Sequence, residues 1–185
     1  MGEIEAWWSY FQGAIDYGEK AILSALGNWY MVLGQFDESL KYFEKNVKRF
    51  KEIGALDIDD MQRIGYVYWH KGYKEEADYY FTEQINYCMR VIELERSYSQ
   101  SYYSYFDLAG VYAFKGDKEK AFENLRIFNQ KKRMELVDVL LFKIDPLLDK
   151  IRDEPECQQI ARDVEAKYQA EHERVRKWLE ENDML

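Results

Sequence analysis

The run LGQFDESLKYFEK at residues 33–45 returns twice, as HKGYKEEADYYFTEQ at 70–84 and FKGDKEKAFENLRIF at 114–128. Five positions after each glycine stands a small residue, Ser39, Ala77 or Ala121, and four further on a large one, Phe43, Phe81 or Leu125. Ahead of the glycines the chain reads Leu23-x2-Leu26-Gly27-x2-Tyr30, Met61-x2-Ile64-Gly65-x2-Tyr68 and Tyr105-x2-Leu108-Ala109-x2-Tyr112. Residues at i, i+3, i+4 and i+7 share one helical face. Self-similarity over a few tens of residues is the mark of stacked supersecondary units. Each copy is therefore expected to be a helical hairpin. Its glycine ends the first helix in a left-handed conformation, and its small residue lets the second helix come close.

The pattern resembles the tetratricopeptide repeat, W-x2-L-G-x2-Y…A-x3-F…P, over residues 20–133. It departs in lacking the signature tryptophan, in placing Lys51, Met89 and Arg133 where the terminating proline belongs, and in its period. Gly34, Gly72 and Gly116 stand 38 and 44 residues apart (72 − 34 and 116 − 72), against 34 in the family. The simplest home for the extra residues is the second helix, since Phe43–Glu52 and Phe81–Arg96 hold no breaker beyond Asn46 and Asn86. The resemblance implies an all-α, right-handed superhelical solenoid of antiparallel helix hairpins with a helical C-terminal cap. Its expected parts within one domain, 1–185, are repeats at 20–57, 58–101 and 102–133 and a capping tail at 134–185. Ala6-x3-Tyr10-x2-Gly13 copies Ser39-x3-Phe43-x2-Asn46, so residues 1–19 are expected to be the second helix of a truncated upstream repeat. Trp7, Trp8 and Phe11 would then offer an apolar surface to an upstream repeat or to a second copy, as a homodimer.

The tail, MELVDVLLFKIDPLLDKIRDEPECQQIA, resembles the segment that follows tetratricopeptide arrays in many bacterial regulatory and signalling proteins. Asp145 can cap a short helix opened by Pro146, and Asp153 with Glu156 reads as a capping box starting a last helix that runs to about Glu181. Ile160, Val164, Tyr168, Val175, Trp178 and Leu179 form its apolar stripe, suited to covering a solenoid end. Asp163 with Lys167 and Glu173 with Lys177 are expected i to i+4 pairs beside it.

Composition narrows the function. Lys and Arg number 26 against 35 Asp and Glu, a net charge of −9, and no basic stripe offsets it, so nucleic acid is a disfavoured partner. The longest uncharged run, Ala21–Phe36, is too short and too interrupted to span a membrane, and no export signal is visible at the N-terminus. Cys88 and Cys157 lack metal or redox spacing and fit a reducing, cytoplasmic setting as buried small side chains.

Catalytic chemistry finds no constellation. His70 and His172 are far apart in sequence with no partner at i+3 or i+4, and Asp57-Ile58-Asp59-Asp60 lacks the glycine and closing glutamate of a calcium loop. No enzyme, cofactor or metal site is expected. In the tetratricopeptide family ligands lie along the concave groove of the first helices. That implies Ser24, Asn28, Met31 and Val32, then Gln62, Tyr66, Trp69 and His70, then Tyr103, Phe106, Gly110, Ala113 and Phe114 here. Members that grip chaperone C-terminal carboxylates need lysines and arginines at these positions, and none stands there in this chain, where Asn28 is the nearest in character. The resemblance thus implies an apolar or aromatic peptide partner, held by Asn28, Tyr66, Trp69, His70, Tyr103 and Phe106. Two plainer readings stand beside it: His70 as an ordinary surface histidine, and the rings as core beneath the chain's own later helices. The alternative function is a regulatory or oligomerisation segment of a larger bacterial signalling or transcription-regulator protein.

Overall fold

The computed structural model describes residues 22–52, 61–95 and 98–184. The expectations for residues 1–19, with their aromatic surface, and for Asp57–Asp60 lie outside these. The described residues form helices with no strand among them, as the all-α expectation required. In chain order they are α1 (22–32), α2 (Phe36–Glu52), α3 (Met61–His70), α4 (Lys74–Glu93), α5 (Tyr98–Lys115), α6 (Lys118–Phe128), α7 (Leu136–Ile144), a single 3₁₀ turn at Pro146–Leu148, and α8 (Pro155–Glu181). None of the described helices is long and apolar enough to cross a membrane.

One backbone device closes all three hairpins. Gly34, Gly72 and Gly116 have φ of +71°, +88° and +90°. The residue after each, Gln35, Tyr73 or Asp117, donates its N–H to the carbonyl five positions back, that of Tyr30, Tyr68 or Tyr112, at 2.9, 3.0 and 2.9 Å. This satisfies a helix-end carbonyl that would otherwise lack a partner, and the left-handed step it needs is least costly for a residue without Cβ. The repeated tyrosine of the sequence pattern is thus also the repeated anchor of the turn.

The small and large residues then set how close the two helices come. A Cβ on Gly27 would stand 2.6 Å from the Phe43 ring, which is fully buried, and the buried Ser39 Oγ donates to the Gly27 carbonyl at 2.7 Å. Ala77 and Phe81 are buried against Gly65 in the same way, and Ala109, Ala121 and Leu125 have no exposed surface in the third hairpin. Tyr30 stacks on Tyr42 with ring centroids 5.5 Å apart, and Tyr68 on Tyr80 at the same distance. The third hairpin has Asn124 at that position, and Lys120 Nζ covers the Tyr112 ring instead, 5.2 Å from its centroid. As the glycine spacing suggested, α2 and α4 are long, 17 and 20 residues, whereas α6 has 11.

The chain divides into two compact units, Met1–Glu83 and Gln84–Leu185. In the N-terminal unit Met31, Phe43, Val47, Ile64 and Val67 form the core, flanked by Phe36, Leu40, Tyr66, Tyr68 and Tyr80. In the C-terminal unit a core draws on α5, α6, α7, the 3₁₀ turn and α8, from Phe106 and Leu125 through Phe142 and Leu148 to Ile160 and Val164. Cys88 and Cys157 are free and buried there, and burial raises both thiols above their usual range.

The tail follows some expectations and corrects others. Asp145 accepts from the Leu147 N–H at 3.0 Å, with Pro146 opening the turn as expected. The expected capping box does not form. Pro155, which has no N–H to satisfy, takes the first helical position and makes Glu154 the N-cap, so Asp153 falls outside the helix. Glu156 is turned instead to Arg126, which donates to it twice, at 2.6 and 3.0 Å. The Asp163–Lys167 pair is also replaced: Lys167 reaches across to Asn129 Oδ1 at 3.0 Å, and Asp163 accepts from Asn129 Nδ2 at 3.2 Å. Glu173 and Lys177 do pair, at 3.7 Å. The buried residues of α8 are Cys157, Ile160 and Val164, all in its first half.

Candidate functional site

In the N-terminal unit, α3 is short and presents two opposite faces. Successive residues turn by about 100°, so Ile64 and Tyr68 point roughly half a turn away from Tyr66 and His70. Each face builds a distinct surface.

On the first, His70 stacks on Phe36 from α2 at 4.8 Å between centroids, and Tyr66 tilts against His70 at 4.4 Å. Burial, reinforced by the Lys74 ammonium, holds the His70 imidazole below its usual pKa, so it is neutral at pH 7. Trp69, next along, is 36% exposed and carries Lys74 Nζ 3.4 Å from its ring centroid; the same ammonium donates to the Trp69 carbonyl at 2.9 Å. Of the expected residues, Tyr66 and His70 thus form an aromatic and imidazole cluster with Phe36, and Trp69 stands exposed next to His70 in the chain. Asn28 remains within α1, its Nδ2 donating to Ser24 Oγ at 3.5 Å and its buried Oδ1 lacking a hydrogen-bond partner.

On the second face, α2, α3 and α4 border a solvent-open cavity of 310 Å³ lined by Glu44, Val47, Lys48, Lys51, Ile64, Tyr68 and Tyr80. Its aromatic wall is the parallel Tyr68–Tyr80 pair, 9° from coplanar. The Tyr68 hydroxyl donates to Glu44 Oε1 at 3.3 Å. Burial, with Tyr80 and Glu44 close by, pushes the Tyr68 phenol well above its usual range, and burial raises Tyr80 as well, so both hydroxyls keep their protons at neutral pH.

Tyr103 and Phe106 belong to the other unit, and for Phe106 the groove expectation is corrected. Phe106 is 2% exposed and packs on Phe128 and Phe142, at 5.2 and 5.5 Å between centroids. The ring that repeat logic assigned to an open side is covered by α7. Tyr103 is half-buried, and its hydroxyl accepts from Lys131 Nζ at 3.3 Å. Lys131 in turn pairs with Asp138 at 2.9 Å, with side chains 7% and 0% exposed, and Asp138 also accepts from the Glu135 N–H at 2.7 Å. Burial lowers the Lys131 ammonium, but its bonds to Asp138 outweigh that and hold it above its usual value. This set ties α7 to α5.

Neither the cavity nor the buried pair was read from the repeat pattern. A lone acid within the apolar run LVDVLLFKI was the available signal for the pair, because a carboxylate on a buried face needs a partner. No group of three or more His, Cys, Asp or Glu placed to hold a metal ion occurs among the described residues. Comparison with protein families, curated proteins and solved structures finds no match.

Proposed function

We propose that the chain is a non-enzymatic protein-interaction module of tetratricopeptide-like solenoid architecture, whose α1 and α3 surfaces hold an apolar or aromatic peptide segment. The observation that carries this reading is the accessible patch at the end of α3. Trp69 and His70 stay exposed there while the neighbouring signature positions Ile64, Gly65, Ala77 and Phe81 are buried. Hairpin packing has no need of a tryptophan at that place. Trp29, 62% exposed on α1, adds a second ring of the same kind. Three hairpins closed by the same glycine and tyrosine-carbonyl turn support the solenoid reading. Two unpaired buried thiols suit a reducing compartment such as the cytoplasm.

A second reading, a regulatory or oligomerisation segment of a larger bacterial protein, is favoured by one feature of α7. Its inner face is core, yet Leu136, Val137, Leu140 and Ile144 on the outer face are 42–52% exposed.

The test is binding of peptides selected from a displayed library against the intact chain. A Tyr66→Ala/Trp69→Ala variant that retains a cooperative melt is expected to lose at least about tenfold in affinity, since truncating a central aromatic anchor commonly costs about 2 kcal/mol. Unchanged affinity would move the interaction off α3.

A further inference from the structure

We infer that the cavity between α2, α3 and α4 is a second binding site, a receptor for a short acidic peptide segment carrying an aromatic side chain. It lies on the face of α3 opposite the Trp69–His70 patch and does not depend on the function proposed for that patch.

The volume, 310 Å³, is at the small end of the roughly 300–1,000 Å³ range of ligand pockets and suits one large side chain rather than a cofactor. Its base is apolar, with Val47 and Ile64 buried. Its wall is the Tyr68–Tyr80 stack, and the aromatic surface continues outward, Tyr73 lying edge-on to Tyr68 at 6.1 Å and Tyr79 edge-on to Tyr80 at 5.2 Å. Rings presented in series on an accessible face favour a planar, apolar group laid against them.

The rim sets the charge of what enters. Lys48 and Lys51 stand over the cavity, in a molecule whose net charge is −9. Lys48 is 79% exposed and reaches Glu52 only at 3.8 Å, and Lys51 has no ion pair among the described residues. The one acid of the lining, Glu44, already accepts from the Tyr68 hydroxyl. Two ammonium groups are thus available to a carboxylate outside the pocket, while the protonated Tyr80 hydroxyl can donate to a peptide carbonyl. A basic ligand would meet those ammonium groups head-on. A purely apolar one would leave them unused.

The experiment titrates acetyl-Glu-Asp-Trp-Glu-Phe-Glu-amide into the full chain, reading fluorescence anisotropy of a labelled copy together with backbone amide shifts. Saturable binding is expected, with shifts centred on residues 44–51 and 64–80. Affinity should fall with added salt, and should drop at least tenfold in Lys48→Gln/Lys51→Gln, two surface changes that leave the core intact. An analogue with glutamine for each acid should bind at least tenfold more weakly. The Tyr66→Ala/Trp69→Ala variant should bind within twofold of the parent, which separates failure of this site from failure of the α3 patch. No saturation at millimolar peptide overturns the inference. So does equal binding of the glutamine analogue, or loss of binding in Tyr66→Ala/Trp69→Ala with none in the lysine variant.

Discussion

At the scale of single residues the most consequential placement is Lys131 beside Asp138. Both side chains are almost wholly withdrawn from water, and one carboxylate oxygen, Asp138 Oδ1, is buried without a hydrogen bond. Such a pair adds little to stability against an apolar replacement, yet losing one member leaves a charge stranded. Asp138→Ala is therefore expected to destabilise the C-terminal unit by about 3–5 kcal/mol in urea unfolding, with Lys131→Met/Asp138→Leu recovering most of the loss. A parent-like Asp138→Ala would mean that Lys131 reaches water when its partner is gone. The sequence marked this site only faintly, because a lysine in the basic run Lys131-Lys132-Arg133 looks like any surface cation until the following helix folds over it. His70 was legible as a position but not as an environment. Phe36, which stacks on it, lies a whole hairpin upstream, and helical periodicity says nothing about such a neighbour.

At the scale of elements, the hairpins were legible because their determinants are local. A glycine free to adopt positive φ and a small residue four before a large one act within a few turns of one another. Ala77 is the sharpest test of that register, being fully buried with its carbonyl 3.1 Å from where a Gly65 Cβ would lie. Ala77→Leu is expected to cost about 1–3 kcal/mol by overpacking. Tyr79→Leu, on the exposed side of the same helix, should stay within about 0.5 kcal/mol. Thermal melts of the two variants decide it, and equal melting would mean the helices approach one another elsewhere. The start of α8 was misread for an equally local reason: two signals one residue apart competed, and a proline at the first helical position outweighed an aspartate cap. The partners of α8 were less legible. Lys167 and Glu156 had plausible neighbours in their own helix and found better ones on α6 and just beyond it.

At the scale of the whole molecule, the described residues of the two units differ in how much core they form. Among the described residues the C-terminal core recruits five elements, while the N-terminal one centres on Phe43, Val47, Ile64 and Val67 of α2 and α3 with Met31. Amide hydrogen exchange on the intact chain should therefore be slowest around Phe106, Leu125 and Val164 and faster along α3, with residues 171–181 of α8, none of which is fully buried, fastest among the described helices. Uniform protection across the chain would contradict this ordering. The same contrast explains why the expected groove residues differ in exposure. In the first unit Trp69 and His70 are accessible, whereas in the second the tail supplies α7 over Phe106, and a non-repeating segment is outside what a repeat can forecast. The two cysteines carry a practical consequence of this packing. Both sulfur atoms are enclosed and held as thiols, so maleimide added to the folded protein should find no ready thiolate. A single cysteine engineered at the cavity rim or on the outer side of α7 would then be the one reactive handle, and a dye attached there would report on that surface alone.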